Sequence, residues 1–553
     1  MTATEPPASP KLPALDRRSL LKAGLLGSGM LAAPLSASQP GRGFTHGVAS
    51  GEPGPDRVLL WTRFQADQDT PLEFEVSDSV DFTRKIAGGS IAARAENDWC
   101  CKTFAKGLEP AQSYYFRFIA PDGSISDIGR TRTLPEGPAD RFRMAVFSCA
   151  NIGFGWFNAY AHAAADGNFD CVLHLGDYFY EYAPGTYPST DETVSGRSVW
   201  PSHELVALAD YRERYAAYRQ DPDLRRLHQL FPMIAVWDDH ESANDSWEGG
   251  AENHQPDSEG EWSVRKAAAM KAYREWMPVS DEPWAEYEVG DLATLYRLET
   301  RLTARAKQFS LGDVLRGGSS PEEAKAALIA FRDGDYRDPA RELLGSAQQG
   351  WLAEGFSRSK AAGKTWQVLV QQVLMGNLVS SPSLAAVLPK DAPDYIRQRV
   401  LAGAMAGAEG VPFSMDAWDG YPAARRRVFE AALSADANLI SLAGDTHNAW
   451  AFDLDLEGTP VGVEFGGQSV TSPGFEGYLP QVPPDVLARD AVATNAQLQW
   501  MDSSRRGYMA VELTPGSATS EYRFLGSVRE KGAGVVATKR MTTLAGSRKL
   551  DMG

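Results

Sequence analysis

Four short apolar runs in this chain stop abruptly at residues that ligate metals or carry protons. Met144–Phe147 ends in Ser148-Cys149, Cys171–Leu175 in Gly176-Asp177, Met233–Trp237 in Asp238-Asp239-His240, and Leu439–Ala443 in Gly444-Asp445-Thr446-His447. Trp366–Val370 is a fifth run of the same kind. Continuous apolar stretches of this length suit strands buried on both faces of a helix-covered sheet. Open α/β sheets gather their ligands outside the carboxyl ends of the strands, so residues hundreds of positions apart can converge there. Carboxylates, imidazoles and a thiol meeting at one point make a metal site by chemistry. Each has a plainer reading when taken alone: Cys149 as a small core residue, Gly176-Asp177 as a turn or helix cap, His240 as a hydrogen-bonded core histidine. The repetition of run and terminus is what favours the metal site.

The rest of the chain supports this α/β (α+β) class. Amphipathic helices are expected over 204–220, 262–277 and 422–433, and a further strand over 292–302. The polar stretches 183–201 and 244–261 are too long to be simple connections and read as loops around a site. Ahead of them, residues 44–133 read as short strands (58–63, 72–77, 114–119) between Gly-Glu-Pro-Gly-Pro and Pro-Asp-Gly turns. Leu108-Glu109-Pro110 followed by Tyr114, Phe116 and Phe118 is similar to the tyrosine corner of immunoglobulin-like and fibronectin-like sandwiches, which predicts a small N-terminal β-sandwich. The Pro-bearing segment 134–140 marks a boundary. Beyond it, 141–528 is expected to form the catalytic domain and 529–553 a C-terminal tail, its last ten or so residues solvated.

At the amino end, Arg17-Arg18-Ser19-Leu20-Leu21-Lys22 precedes a short Gly-containing apolar run and the small residues Ser36-Ala37-Ser38. That pattern resembles a bacterial twin-arginine export signal over residues 1–38, with a mature chain beginning near Gln39 and a periplasmic or secreted destination. Four cysteines in 553 residues are too few for a disulfide framework, and adjacent Cys100 and Cys101 would bridge only under strain, so thiols are expected. With 72 Asp plus Glu against 55 Lys plus Arg, the net charge is −17. This excess argues against a stable nucleic-acid or anionic-membrane partner. An anionic substrate would then have to be held by something other than net charge.

The motif set as a whole carries a family resemblance. Ser148-Cys149, His174-Leu-Gly-Asp-Tyr-Phe-Tyr-Glu181, Trp237-Asp-Asp-His-Glu241 with Asn244, and Gly444-Asp-Thr-His-Asn448 resemble the PhoD-type alkaline phosphatases, binuclear metallophosphoesterases related to purple acid phosphatases. The segments Asp416–Tyr421 and Ser469–Gly474 are similar to that family too. The resemblance implies a metallophosphoesterase-type sheet core and an exported enzyme that hydrolyses phosphate monoesters, diesters or both. It implies Asp177 as the carboxylate bridging two metals, with Cys149, Tyr180 and His447 completing an iron(III) site. The second site, Asp177 with Asp239, Asn244 and Asp445, is implied to hold calcium, or another divalent ion. Asp238 and Asp239 compete for the ligand role at that position. His240 is implied to contact the phosphate and stabilise or protonate the leaving group, and Asn244 to donate to a phosphate oxygen.

Two rival readings belong to other classes. Cys149 could be the nucleophile of a thiol hydrolase, with His240 or His447 as base, an aspartate orienting it, and the helical stretch from Trp156 stabilising the thiolate. The chain could also be a non-catalytic exported protein that binds phosphate esters.

Overall fold

The computed structural model describes residues 42–318, 320–387, 394–412 and 414–552. The export signal expected over 1–38 lies outside them. The N-terminal region forms β1 (Gly43–Gly51), β2 (Arg57–Gln65), β3 (Thr70–Ser77), β4 (Lys85–Ala93), β5 (Cys100–Lys106), β6 (Ser113–Ile119) and β7 (Gly129–Arg132). β1, β2 and β5 lie side by side, and a second sheet runs in the order β4-β3-β6-β7. Val58, Leu60, Phe74, Val76, Phe116 and Phe118 pack together between them. Tyr114, Phe116 and Phe118 are buried because the strand period of two sends alternate side chains inward. The Glu109 N–H donates to Tyr114 Oη at 2.9 Å, which is the corner that the spacing suggested.

Past the boundary segment come β8 (Phe142–Phe147), β9 (Cys171–His174), β10 (Pro232–Ala235), β11 (Ala285–Val289), β12 (Ala293–Arg297), β13 (Trp366–Val370) and β14 (Leu439–Ala443). They are followed by β15 (Ala449–Leu456), β16 (Thr459–Gly466), β17 (Leu498–Asp502), β18 (Gly507–Leu513), β19 (Ser517–Leu525), β20 (Val535–Leu544) and β21 (Leu550–Asp551). One sheet has the order β21-β20-β19-β18-β8-β9-β10-β1-β2-β5, the other β11-β12-β13-β14-β16-β15-β17. The apolar runs therefore belong to two sheets rather than one. Met144, Leu173 and Ile234 of the first share a core with Val368, Ile440 and Val463 of the second. Each such side chain contributes about 2 kcal/mol by leaving water. Helices Asn158–Asp166, Leu208–Tyr218, Pro222–Leu230 and Trp262–Trp276 cover one outer face, and Gly345–Ala361 and Pro422–Ser434 the other. The continuous apolar runs arise because both faces of each central strand are covered.

Three expectations change. β1 pairs in parallel with β10 (Ser50 opposite Pro232), so the N-terminal sandwich shares a sheet with the catalytic region. The stretch read as a tail is instead built into that sheet: β20 pairs with β19 from Ser517–Leu544 to Leu525–Val535, and Leu550 pairs with Thr543. Its β-branched, alternately buried residues suit an edge position. The strand expected over 292–302 stops at Arg297. There the Glu299 carboxylate accepts the backbone N–H groups of Arg301, Leu302 and Thr303, at 2.7–2.9 Å, and turns the chain inward.

Candidate metal centre and active site

Register brings the strand ends level. Phe147 lies opposite His174, and His174 opposite Ala235, so the residues that follow β8, β9 and β10 emerge along one edge. Asp445 and His447 arrive from β14 of the facing sheet. The chain must turn sharply as it leaves each strand, and Cys149, Asp177, Asp445 and His447 all hold positive φ, between 51° and 65°. For residues with a Cβ this left-handed region costs about 1 kcal/mol each, a pattern concentrated at functional sites. Gly176 has φ +100°, and a Cβ there would stand 2.3 Å from Asp238 Cβ; only glycine lets these two loops approach. The buried Glu241 carboxylate ties them, accepting from the backbone N–H of Asp177 (3.1 Å), Tyr178 (2.6 Å) and Asp238 (2.7 Å).

Three overlapping sets of ligand atoms result, each with its members within 4.8 Å of one another: Cys149, Asp177 and His447; Asp177, Asp239 and His240; Asp238, Asp239 and Asp445. Asp177 belongs to the first two, the arrangement a bridging carboxylate requires. Tyr180 Oη donates to Asp177 Oδ2 at 3.1 Å, stands 3.1 Å from His447 Nε2 and accepts from Ser472 Oγ at 2.7 Å. Tyr178 points elsewhere, its Oη meeting His228 Nε2 at 2.9 Å. His447 Nδ1 donates to the Pro473 carbonyl at 2.7 Å, which fixes the tautomer and leaves the Nε2 lone pair facing the centre.

The second half of the site is richer in charge. His240 Nδ1 is 2.6 Å from Glu181 Oε2, and Glu181 Oε1 accepts from the Asn244 N–H and from Asn253 Nδ2, both at 2.8 Å. Asn244 Nδ2 donates to Glu252 at 2.7 Å, so its Oδ1 is the atom suited to a metal. Asp239 accepts the backbone N–H of His240 (3.0 Å) and of Asp245 (2.6 Å). Arg301, wholly buried, reaches Asp238 Oδ1 at 2.5 Å, Asp445 Oδ1 at 3.2 Å and both Asp416 oxygens at 2.8 Å.

Burial pushes Asp177, Asp445, Cys149 and Tyr180 well above their usual ranges. The same burial would depress the His240 imidazole, but Asp239, Glu181 and Asp177 outweigh it and hold the ring well above the usual histidine range. Asp239 is likewise held low against its burial by Arg301 and His240. Asp177 Oδ1 and Asp238 Oδ2 are buried without a hydrogen-bond partner. Acidic groups crowded in this way, with two orphaned oxygens, are short of positive charge. A thiol, a phenol, an imidazole and a shared carboxylate, beside a group of carboxylates, form a donor set that fits metal cations.

All the residues singled out from the sequence come to this edge. Arg301, Glu181, Glu241, Ser472 and Arg506 were not assigned roles. Arg506 donates to Ser472 O at 2.9 Å and to Glu476 at 2.8 Å, anchoring the loop beside His447. Glu181 and Glu241 stand inside motifs already noticed, and Ser472 inside the 469–474 segment. Arg301 had no comparable signal, because the alternation around it resembles a strand.

A site of this composition at the carboxyl edge of paired sheets defines a phosphoester hydrolase, and the chain belongs to the PhoD-like phosphatase family: the family's model matches residues 144–522 and its N-terminal-domain model residues 30–135. Alkaline phosphatase D of Bacillus subtilis (strain 168) is 33% identical over 530 residues, covering 91% of this chain and 81% of that protein. A solved structure described as the structure of PhoD superposes with a TM-score of 0.74 at 30% identity, covering 94% of this chain and 93% of the other.

Proposed function

We propose that this phosphoesterase works with two cations at the strand-end centre. Iron(III) is held by Cys149, Asp177, Tyr180 and His447, and calcium or another divalent ion by Asp177, Asp239, Asn244 and Asp445. The observation that carries the reading is the membership of Asp177 in two ligand sets at once. Bound there, the cations supply neutralisation of phosphate oxygens and a lowered pKa for the attacking water. They also account for the affinity of a chain of net charge −17 for an anion.

The protein's own groups do the rest. Asp239 is the ligand of the adjacent pair, and Asp238 is the positioning carboxylate that locks Arg301. Glu181 holds His240 with Nδ1 occupied, so that Nε2–H faces the phosphate and can donate to the leaving oxygen. Arg301 balances Asp238, Asp416 and Asp445 and keeps their oxygens in place. The sequence features of 1–38 support export by the twin-arginine machinery to the periplasm or beyond. Among the described residues no helix is long and apolar enough to cross a membrane.

The thiol-hydrolase reading loses its support. Cys149 is fully buried, its thiol is pushed up rather than down, and the following α-helix starts only at Asn158. The test is chelation against alkylation. Hydrolysis of an aryl phosphate is expected to fall to background after chelation, return with iron plus calcium, and survive iodoacetamide. Activity that survives chelation and dies on alkylation would restore the thiol mechanism. Retained tight phosphate-ester binding without turnover would favour the binding-protein reading.

A further inference from the structure

Behind the metal centre, between strands β1 and β2 and the helices that cover them, a guanidinium is buried with no carboxylate to balance it. Arg219 follows the helix Leu208–Tyr218, is wholly inaccessible, and its Nε, Nη1 and Nη2 all lack a hydrogen-bond partner. Among the described residues no carboxylate forms an ion pair with it. Of the other buried arginines of this region, Arg63 pairs with Asp98 at 2.9 Å and Arg197 with Asp221 at 2.6 Å, while Arg214 donates to the carbonyls of Trp200, Tyr180 and Tyr182; Arg219 has neither kind of partner. Arginine does not shed its proton inside a protein, so the charge must be met by something else.

The groups packed around this guanidinium are aromatic and imidazole. The guanidinium lies over the Trp61 ring at 4.2 Å, Trp61 and Trp276 have centroids 6.1 Å apart, and His46 meets Trp276 edge-on at 5.0 Å. A cation–π contact offsets only part of the cost of desolvating a full charge. Tyr178 Oη interacts with the guanidinium, but a neutral phenol supplies no countercharge, and its own hydrogen bond goes to His228 Nε2. His46 Nδ1 and His228 Nδ1 are also buried and unpartnered. In the tautomer whose Nε2 accepts from Tyr178, a neutral His228 carries its proton on Nδ1 and has one more donor to offer. Arg63 and Arg225 add positive potential at His46. A crevice lined by Gly47, Asp127, Arg225, Arg226 and Gln229, in which Arg225 pairs with Asp127 at 3.1 Å, opens beside the same turn.

We infer that Arg219, His46 and His228 bind a small monovalent inorganic anion, a halide such as chloride, as an internal countercharge between the β1–β2 part of the large sheet and the helices that cover it. A single buried positive charge among aromatic rings calls for one compact negative charge. A carboxylate- or phosphate-bearing ligand would need an opening and more donors. The inference does not depend on the reading of the metal centre, which it touches only through Tyr178.

Crystals of the full chain grown with bromide replacing chloride test it directly. An anomalous peak within hydrogen-bonding distance of the Arg219 guanidinium is expected; ordered water there, with no anomalous signal, would overturn the assignment. In solution, replacing gluconate by chloride at constant ionic strength should raise the melting temperature of the wild type by about 2–4 °C. The response should vanish in Arg219→Met. Equal responses in both proteins would contradict it, and the bromide experiment decides the matter if the variant does not fold.

Discussion

One sheet of the N-terminal sandwich runs on into the sheet that carries Cys149, Asp177 and Asp239 at its rim, joined where β1 meets β10, yet the sandwich and the rim obey different rules. In the sandwich core, local preference and global packing agree: β-branched and aromatic residues alternate, Phe74, Phe116 and Phe118 turn inward, Tyr114 closes a corner with one hydrogen bond, and left-handed residues lie in turns (Phe82, Asp98, Ala111) or at the β1 bulge (His46). At the rim they conflict. Cys149, Asp177, Asp445 and His447 hold a left-handed backbone, five acidic or thiol groups share a buried space, and Asp177 and Asp238 leave oxygens unsatisfied. Consistency across levels specifies structure; its local violation marks where stability has been exchanged for chemistry.

The sharpest way to break this comparison is at Arg301. Arg301→Met removes the one cation that touches Asp238, Asp416 and Asp445 together. It is expected to destabilise the protein by about 3–5 kcal/mol in urea unfolding, since it leaves buried carboxylates unpaired. It should also lower aryl phosphate hydrolysis by about 10–100-fold, through loss of ligand positioning. A variant with wild-type stability and rate would show that the rim charges are balanced without it. A smaller effect sharpens the contrast from the other side. Tyr114→Phe deletes the corner hydrogen bond and should cost about 1 kcal/mol, with kcat/KM unchanged. A tenfold loss of activity there would mean that the sandwich shapes the rim rather than merely bordering it.

What could be read from residues alone follows the same division. The apolar runs marked β8, β9, β10, β13 and β14 because strands covered on both faces have no polar alternation to obscure them. Their abrupt ends marked the site residues. The pairing of two sheets was not legible, since the runs that end in Cys149 and in Asp445 look alike although they lie in different layers. Arg301 was hidden for a related reason: Leu292 to Leu302 alternates like a strand, and only the capture of three backbone N–H groups by Glu299 shows that the chain turns into the site. The C-terminal strands are not legible because β20, flanked on its outer side only by the two-residue β21, is half-exposed and rich in polar side chains, which resembles a solvated tail. Arg219 gave no signal at all, as a cation next to a helix end is ordinarily a surface residue.

The central claim is that the strand-end residues hold iron through Tyr180 beside a second cation, and the visible spectrum of the purified protein tests it most directly. A tyrosinate bound to iron(III) gives a charge-transfer band, which should be present in the wild type and absent in Tyr180→Phe, while elemental analysis finds iron and a second metal in the wild type. A colourless, iron-free protein with full phosphoesterase activity would contradict it.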